Sequence, residues 1–225
     1  SHAWKVDNDL LNAKLKELRK KYKNPLVLHA GDAITGTLYF TLFGGSADAA
    51  VMNAGNFHYF TLGNHEFDAG NEGLLKLLEP LKIPVLSANV IPDKSSILYN
   101  KWKPYDIFTV NGEKIGIIGL DTVNKTVNSS SPGKDVKFYD EVVTAQIMAN
   151  TLKSQGINKI ILLSHAGSEK NIEIAQKVND IDIIVTGDSH NLYGNDELRA
   201  LKLPVIYEYP LEFKSPNGEP VYVME

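Results

Sequence analysis

The chain has 225 residues and no cysteine, an absence that excludes disulfide bonds and thiolate metal ligands. Any metal site must therefore use histidine, aspartate, asparagine and related side chains, which suit hard or borderline divalent ions. Apolar runs of about 18 residues, the length that a membrane-spanning helix needs, are also absent. The formal net charge is -4, without the basic excess that is typical of nucleic-acid-binding proteins. We therefore expect neither a membrane span nor a nucleic-acid partner.

The composition favours one α/β domain over residues 1–225. A hydrophobic fraction of 43% in a chain of 225 residues is enough to bury a sizeable core. Apolar residues at helical spacing predict helices at 8–22, 47–54, 71–78 and 140–154. Short apolar runs predict strands at 25–30, 59–62, 85–90, 107–110, 114–120, 159–164, 181–186, 203–209 and 221–224.

Turn residues suggest how these elements are connected. Asn111-Gly112-Glu113 separates two of the strands and predicts a hairpin, because glycine supplies the positive φ of the turn. Strands that alternate with helices around such hairpins favour an α/β/β/α sandwich over a purely parallel sheet. The segment 124–134 contains several Ser and Asn residues, and we expect it to be a long flexible loop.

Four predicted strands end in side chains that bind metals or transfer protons. The first leads into Gly31-Asp32, and the second leads into Gly63-Asn64-His65-Glu66-Phe67-Asp68. Two later strands lead into Ser164-His165 and into Gly187-Asp188-Ser189-His190. Because open α/β sheets hold their ligands outside the carboxyl ends of their strands, these four ends are expected to converge on one cleft. An amide oxygen, imidazoles and carboxylates gathered there are typical of a metal-assisted hydrolase.

Each of these side chains also has a plainer interpretation. Alone, Asp32 is typical of a turn, Asn64 of a helix cap, and His165 of a hydrogen-bonded core histidine. The neighbouring His65 and Asp68 favour the functional interpretation. Their spacing of three residues brings the Asp68 carboxylate to one imidazole nitrogen and leaves the other nitrogen for a substrate.

Three further polar residues near these motifs are expected to be structural. His29 lies inside an apolar strand, where a buried, hydrogen-bonded role is the simpler interpretation. His58 stands among Phe57, Tyr59 and Phe60 and is expected in the core or at a strand edge. Glu66 is expected to form hydrogen bonds beneath the loop that carries Asn64 and His65.

The motifs together resemble the calcineurin-like metallophosphoesterases and, among them, the bacterial periplasmic 5'-nucleotidases, with the NAD nucleotidases as the nearest likeness. The matching segments are Gly31-Asp32-Ala33-Ile34-Thr35-Gly36, Gly63-Asn64-His65-Glu66-Phe67-Asp68, Leu86-Ser87-Ala88-Asn89, Ser164-His165, Gly187-Asp188-Ser189-His190 and Leu192-Tyr193-Gly194. The resemblance implies a four-layer α/β/β/α sandwich. It also implies hydrolysis of phosphate esters or pyrophosphates of nucleotides, of the AMP and NAD classes, in the periplasm or at the cell surface.

The resemblance assigns a role to each site residue. The metal ligands would be Asp32, Asn64, His165, Asp188 and His190. Asp32 would bridge two divalent ions, zinc foremost, with manganese, magnesium and cobalt as alternatives, and a hydroxide between the ions would attack phosphorus. His65, oriented by Asp68, would donate a proton to the leaving oxygen, while Asn89 would either contact the substrate or cap backbone groups. Asp188 stands where the family usually has histidine, which would make the site harder or weaken the second ion.

Two parts of the family pattern have no match in the sequence. The Asp-x-His turn that ends the family's first strand is absent ahead of the first predicted helix, and so is the C-terminal nucleotide-binding domain. We therefore expect a domain truncated at both ends, without its first strand, whose partner domain recognises much of the substrate. Alternative interpretations are a 2',3'-cyclic nucleotide phosphodiesterase or sulfur-ester hydrolase of the same superfamily, and a non-catalytic, partly metallated fragment.

Overall fold

Helices and strands are interspersed through the described part of the chain, residues 8–225. In this computed structural model the helices are α1 (Asn8–Lys21), α2 (Leu38–Phe43), α3 (Ser46–Gly55), α4 (Gly70–Leu78), α5 (Val123–Ser129), α6 (Glu141–Ser154), α7 (Gly167–Lys177) and α8 (Asp196–Ala200), with a 3₁₀ helix at Asn64–Phe67. The strands are β1 (Leu28–His29), β2 (Tyr59–Thr61), β3 (Val85–Leu86), β4 (Val90–Pro92), β5 (Tyr105–Val110), β6 (Glu113–Leu120), β7 (Val136–Phe138), β8 (Ile160–Ser164), β9 (Ile183–Thr186), β10 (Leu192–Gly194), β11 (Val205–Glu208), β12 (Leu211–Lys214) and β13 (Pro220–Met224). Among these helices, none is both long enough and apolar enough to cross a bilayer.

Two sheets form the centre of the molecule. The smaller one contains β1, β2 and β3 in that order, all parallel. The larger one has the order β12-β13-β9-β8-β6-β5, with parallel pairing across its middle and an antiparallel pair at each edge. Two further two-stranded sheets pair β4 with β7 and β10 with β11. The predicted hairpin is confirmed, because β5 pairs with β6 around the turn at Asn111 and Gly112.

Alternation along the strands divides the core into layers, since successive side chains of a strand point to opposite faces. Ile118 and Leu162 of the larger sheet pack in a cluster with residues of α6 and α7. Their neighbours Ile117 and Leu163 pack in a different cluster, together with residues of the smaller sheet. Phe60 of β2 belongs to a third cluster with residues of α3 and α4. Helices therefore cover the outer faces of two stacked sheets, and the predicted α/β/β/α sandwich is confirmed.

The expectation of a flexible loop at 124–134 is wrong. Its first half is α5, in which the buried Thr126 hydroxyl donates a hydrogen bond to the Asp121 carboxylate at 2.8 Å. Residues 130–135 then form hydrogen bonds with residues 67–71. The polar residues of this segment suggested a solvated loop, but in the structure several of them form hydrogen bonds with residues of other segments.

Two other differences have clear physical causes. The expected strand 85–90 is two strands, because the N–H groups of Ser87 and Ala88 donate to Lys103 and Gly119 instead of continuing the β3 ladder. The helix α7 is missing from the sequence-based prediction. Its buried face includes Gly167, Ser168 and Asn171 beside Ile174 and Ala175, so the apolar periodicity is weak.

The close approach of the two sheets at Gly119 gives a first testable prediction. A Cβ atom added at Gly119 would overlap the backbone carbonyl of Leu86 in β3. We expect Gly119→Ala to lower the free energy of unfolding by about 1–3 kcal/mol, the usual cost of overpacking a core. Urea denaturation measures this change.

The matched control is Gly116→Ala in the same strand. Its added methyl group would meet the end of the Leu152 side chain, which can rotate away at smaller cost than a paired backbone can move. The loss of stability should therefore be clearly smaller for Gly116→Ala. Equal losses in the two variants would show that backbone contact between the sheets is not the limiting constraint.

Candidate active site

The carboxyl ends of four strands meet at one edge of the two central sheets. Asp32 follows β1, and Asn64 and His65 follow β2. His165 follows β8 directly, and Asp188 follows β9 after one residue. Parallel strands present their carboxyl ends at the same edge, so residues far apart in sequence come together there.

Asp32, His165 and Asp188 form a compact cluster. One ligand atom from each residue lies within 4.8 Å of the others. His165 Nε2 is 2.9 Å from Asp32 Oδ2 and 3.8 Å from Asp188 Oδ1. Asp32 and His165 are buried, whereas Asp188 is half-buried. Two carboxylates and an imidazole at these separations are able to surround one divalent cation.

The imidazole of His165 is oriented by the backbone. Its Nδ1 donates a hydrogen bond to the carbonyl oxygen of Ala30, which is how metal-binding histidines are commonly held. The other ring nitrogen, Nε2, therefore points towards Asp32 and Asp188. Nε2 lies 2.9 Å from Asp32 Oδ2 but makes no hydrogen bond of good geometry with the groups that the structure describes, so a cation placed between the two atoms would contact both.

The electrostatics of the cluster favour a positive charge at His165. Burial of the imidazole opposes its protonation, but the Asp32 carboxylate and the Ala30 carbonyl outweigh burial and raise the pKa of His165 to about 9. A raised histidine pKa means that the surroundings stabilise a cation at this point. A divalent ion would satisfy the same demand.

Asn64 supplies a fourth candidate ligand. Its Oδ1 is buried and has no hydrogen-bond partner among the described groups, which is costly for a polar atom unless another group binds it. Both sequence neighbours of Asn64 contact Asp32. The N–H of His65 donates to Asp32 Oδ1 at 2.9 Å, and a Cβ atom at Gly63 would touch the same carboxylate. Asp32, His165 and Asp188 therefore fit a divalent cation, and the adjoining Asn64, with its unpartnered oxygen, is the candidate for a fourth ligand.

His65 and Asp68 form a pair beside the cluster. His65 Nδ1 lies 2.5 Å from Asp68 Oδ2, and Nε2 lies 3.9 Å from Asp32 Oδ2. The His65 side chain is 35% exposed, so the ring remains accessible to a bound molecule. One imidazole nitrogen is thus held by a carboxylate, and the other faces the cluster.

Glu66 joins the loops that follow β1 and β2. Its carboxylate accepts hydrogen bonds from the N–H groups of Asp32, Ala33 and Gly63, at 2.8, 2.7 and 2.6 Å. The side chain is completely buried, and burial raises the pKa of Glu66 to about 8, although the backbone donors act in the opposite direction. The expected structural role of Glu66 is confirmed. These bonds hold Asp32 at a φ of 57°, a conformation that is uncommon for residues other than glycine.

The turn that carries Asp188 has a similar support. Asp188 and His190 have φ values of 89° and 57°. Between them, the Ser189 hydroxyl donates to Glu225 Oε2 at 2.5 Å and lies 2.6 Å from the Ser168 hydroxyl. Lys125, which the sequence did not suggest, lies 2.6 Å from Asp188 Oδ1. No motif marks Lys125, because 63 positions separate it from Asp188.

Not every candidate from the sequence joins the cluster. His190 is exposed and lies outside the group formed by Asp32, His165 and Asp188. Asn89 is completely buried, donates to the carbonyl oxygens of Asp121 and Tyr139, and accepts from the N–H of Asp121. The oxygen and the nitrogen of its amide group both form hydrogen bonds with backbone groups. These bonds do not support a contact between Asn89 and the substrate. Capping, the other interpretation of Asn89, describes these bonds.

His29 and His58, the two further histidines within residues 8–225, are packed structurally. His29 makes edge-to-face contacts with Phe57 and Phe60, and burial is the main cause that lowers its pKa to about 4. His58 Nδ1 accepts a hydrogen bond from the N–H of Val27 at 2.9 Å. The hydrogen bond of His58 agrees with its expected structural role, and the packing of His29 between aromatic rings agrees with its expected burial.

Comparison with known proteins gives a consistent result. Residues 4–192 match the family model of the calcineurin-like phosphoesterases. The NAD 5'-nucleotidase of Haemophilus influenzae is 93% identical over 215 residues, which are 96% of this chain and 36% of that protein. The chain thus spans little more than a third of the length of this relative.

Two solved structures share the fold. The structure of Haemophilus influenzae NAD nucleotidase matches with a TM-score of 0.94 at 93% identity, over 96% of this chain and 38% of that one. The 5'-nucleotidase precursor of Thermus thermophilus matches with a TM-score of 0.90 at 37% identity, over 96% of this chain and 42% of that one. Because the family model covers most of the sequence and these structures coincide with nearly all of it, the chain belongs to the calcineurin-like phosphoesterase family.

Proposed function

We propose that this chain is the metal-binding domain of a hydrolase that cleaves phosphate esters or pyrophosphates of nucleotides. The observation that carries the proposal is the cluster of Asp32, His165 and Asp188 with the imidazole of His65 beside it. Asn64, the residue before His65, has a buried and unpartnered Oδ1, which supports it as a further ligand. AMP and NAD are the proposed substrate classes. The names of the relatives, NAD 5'-nucleotidase and 5'-nucleotidase precursor, support this choice.

Asp32, Asn64, His165 and Asp188 are proposed to hold one divalent ion, zinc foremost, with manganese, magnesium and cobalt as alternatives. An ion bound there would polarise a phosphoryl oxygen and lower the pKa of a bound water. Asp32 is proposed as the ligand shared with a second ion, because a carboxylate offers two oxygens. His190, which lies outside the cluster, is proposed as a ligand of that second ion.

His65 is the proposed proton donor. Its Nδ1 is held by Asp68, which favours the orientation in which Nε2 faces the cluster. As the bond between phosphorus and the leaving oxygen breaks, the electron pair stays with that oxygen. The Nε2 proton of the imidazolium then moves to the oxygen, and the imidazole is left neutral. A water molecule supplies the oxygen of the new bond to phosphorus and releases one proton to the solvent, from which His65 regains the proton that it has donated. Asp68 stabilises the positive charge of the ring before the transfer.

The same proposal includes location and domain organisation. We infer a periplasmic or cell-surface protein, and the word precursor in the name of the Thermus relative supports this inference. Recognition of the base is assigned to a C-terminal nucleotide-binding domain of the kind that the sequence resemblance implies. The chain's coverage of 36% of its Haemophilus relative is consistent with such an additional domain.

Hydrolysis assays on the purified, metal-loaded protein test the substrate class. Phosphate release from AMP, together with cleavage of NAD into mononucleotides, supports the proposal. Cleavage of 2',3'-cyclic AMP alone would favour the phosphodiesterase alternative. Metal content without turnover of any phosphoester would favour the non-catalytic alternative.

Asp32→Asn tests the metal ligands. The substitution removes one negative charge from a carboxylate that lies 2.9 Å from His165 Nε2, so tight binding of divalent ions should be lost. Metal content per chain after dialysis is the measurement. Asp93→Asn is the control, because Asp93 forms an exposed ion pair with Lys137 and should leave metal content unchanged. Full retention of metal by Asp32→Asn would contradict its role as a ligand.

His65→Ala tests the division of roles within the site. Metal content should stay near the wild-type value, while hydrolysis of AMP slows by about 10²- to 10⁴-fold, the usual contribution of a positioned acid or base. Turnover number and metal content are measured on the same sample. Loss of metal in this variant would identify His65 as a ligand instead of a proton donor.

A further inference from the structure

The Asp68 carboxylate has a second partner besides His65. The hydroxyl of Ser130 donates a hydrogen bond to Asp68 Oδ1 at 2.8 Å, while Asp68 Oδ2 lies 2.5 Å from His65 Nδ1. Each carboxylate oxygen therefore has its own partner. Ser130, Asp68 and His65 form a continuous chain that ends at His65 Nε2, the atom that faces the metal cluster.

The second hydrogen bond restricts a torsion that is otherwise soft. The last torsion of an aspartate side chain, which rotates the carboxylate plane, has broad preferences. If His65 were its only partner, the Asp68 carboxylate could rotate about this torsion, and the His65 ring could rotate with it. With Ser130 on Oδ1 the plane of the Asp68 carboxylate is fixed, and so is the direction in which His65 Nε2 points. The side chain of Asp68 is 29% exposed, so most of its surface is shielded from water.

The segment that carries Ser130 is anchored independently of its hydroxyl. The N–H of Ser131 donates to the carbonyl oxygen of Phe67 at 3.1 Å. The N–H of Gly133 donates to Asn71 Oδ1, and Asn71 Nδ2 donates to Asp135, both at 2.9 Å. Removing the Ser130 hydroxyl therefore leaves the segment in place, so an effect on catalysis is separable from an effect on folding.

We propose that Ser130 is a positioning residue that aligns His65, through Asp68, for proton donation to the leaving oxygen. The inference rests on the proposed hydrolase function. It predicts that Ser130 increases kcat more for substrates whose leaving oxygen must be protonated than for substrates whose leaving group departs as an anion. A nucleoside 5'-hydroxyl leaves poorly without a proton, whereas 4-nitrophenolate leaves readily without one.

The test compares Ser130→Ala with Ser131→Ala and Ser130→Thr in the metal-loaded protein. For AMP, Ser130→Ala should lower kcat by about 10- to 100-fold, the range expected when a reacting group is misplaced by less than about 1 Å, with KM unchanged. For 4-nitrophenyl phosphate the loss should be several-fold smaller. Ser131→Ala, which keeps its backbone bond to Phe67, should match the wild type. Ser130→Thr keeps a hydroxyl and should restore most of the activity.

A double-mutant cycle makes the test specific. In a His65→Ala background, Ser130→Ala should have no further effect on AMP hydrolysis, because coupled residues are not additive. Thermal unfolding and metal content of each variant show whether the fold is intact.

The outcomes separate the inference from the function on which it rests. If the wild-type protein hydrolyses no phosphoester, the proposed function fails and the inference fails with it. If the wild type is active but Ser130→Ala equals Ser131→Ala, only the inference is overturned. Equal losses of kcat for AMP and for 4-nitrophenyl phosphate, or additive effects with His65→Ala, would also overturn it.

Discussion

The three hydrogen bonds that the Glu66 carboxylate accepts hold the site in its observed shape. They connect the backbone after β1 to the backbone after β2, at Asp32, Ala33 and Gly63. Asp32, Ala33 and Gly63 lie outside regular helices and strands, so their N–H groups need other partners, and the buried Glu66 carboxylate accepts from all three. Without this connection, Asp32 would lack the support for its left-handed backbone conformation. The cluster of Asp32, His165 and Asp188 and the pair of His65 and Asp68 both contain residues of the two segments that Glu66 connects.

Glu66 connects only the segments that follow β1 and β2, and the stacking of the two sheets brings the remaining residues of the cluster to them. β1 and β2 belong to the smaller sheet, whereas His165 and Asp188 follow strands of the larger one. The cluster is therefore assembled across the interface between two sheets, whose close packing at Gly119 and Leu86 sets their separation. Packing between the sheets and the distances among the ligands are consequently linked. A change that spreads the sheets also spreads Asp32 from His165.

The sequence predicts the layers and the strand ends well, because apolar runs and their last residues are local patterns. It predicts the structural role of Glu66 for the same reason, since that residue lies inside the motif. It does not reveal Ser130 or Lys125, which reach the site through hydrogen bonds over 62 and 63 positions. Asn89 shows the opposite case. Its position in a matching motif suggested a substrate contact, but only coordinates reveal that backbone groups of distant segments already occupy its amide.

Asn64 and His65 are consecutive residues at the beginning of one short 3₁₀ helix. Asn64 is the proposed ligand of the ion, and His65 is the proposed proton donor. The peptide bond between them is planar, and it keeps their Cα atoms about 3.8 Å apart. The points at which the two side chains leave the backbone are therefore fixed relative to each other, while the direction of the His65 ring is set separately by its contact with Asp68. A substitution that displaces the backbone at one of these residues therefore displaces the other residue as well.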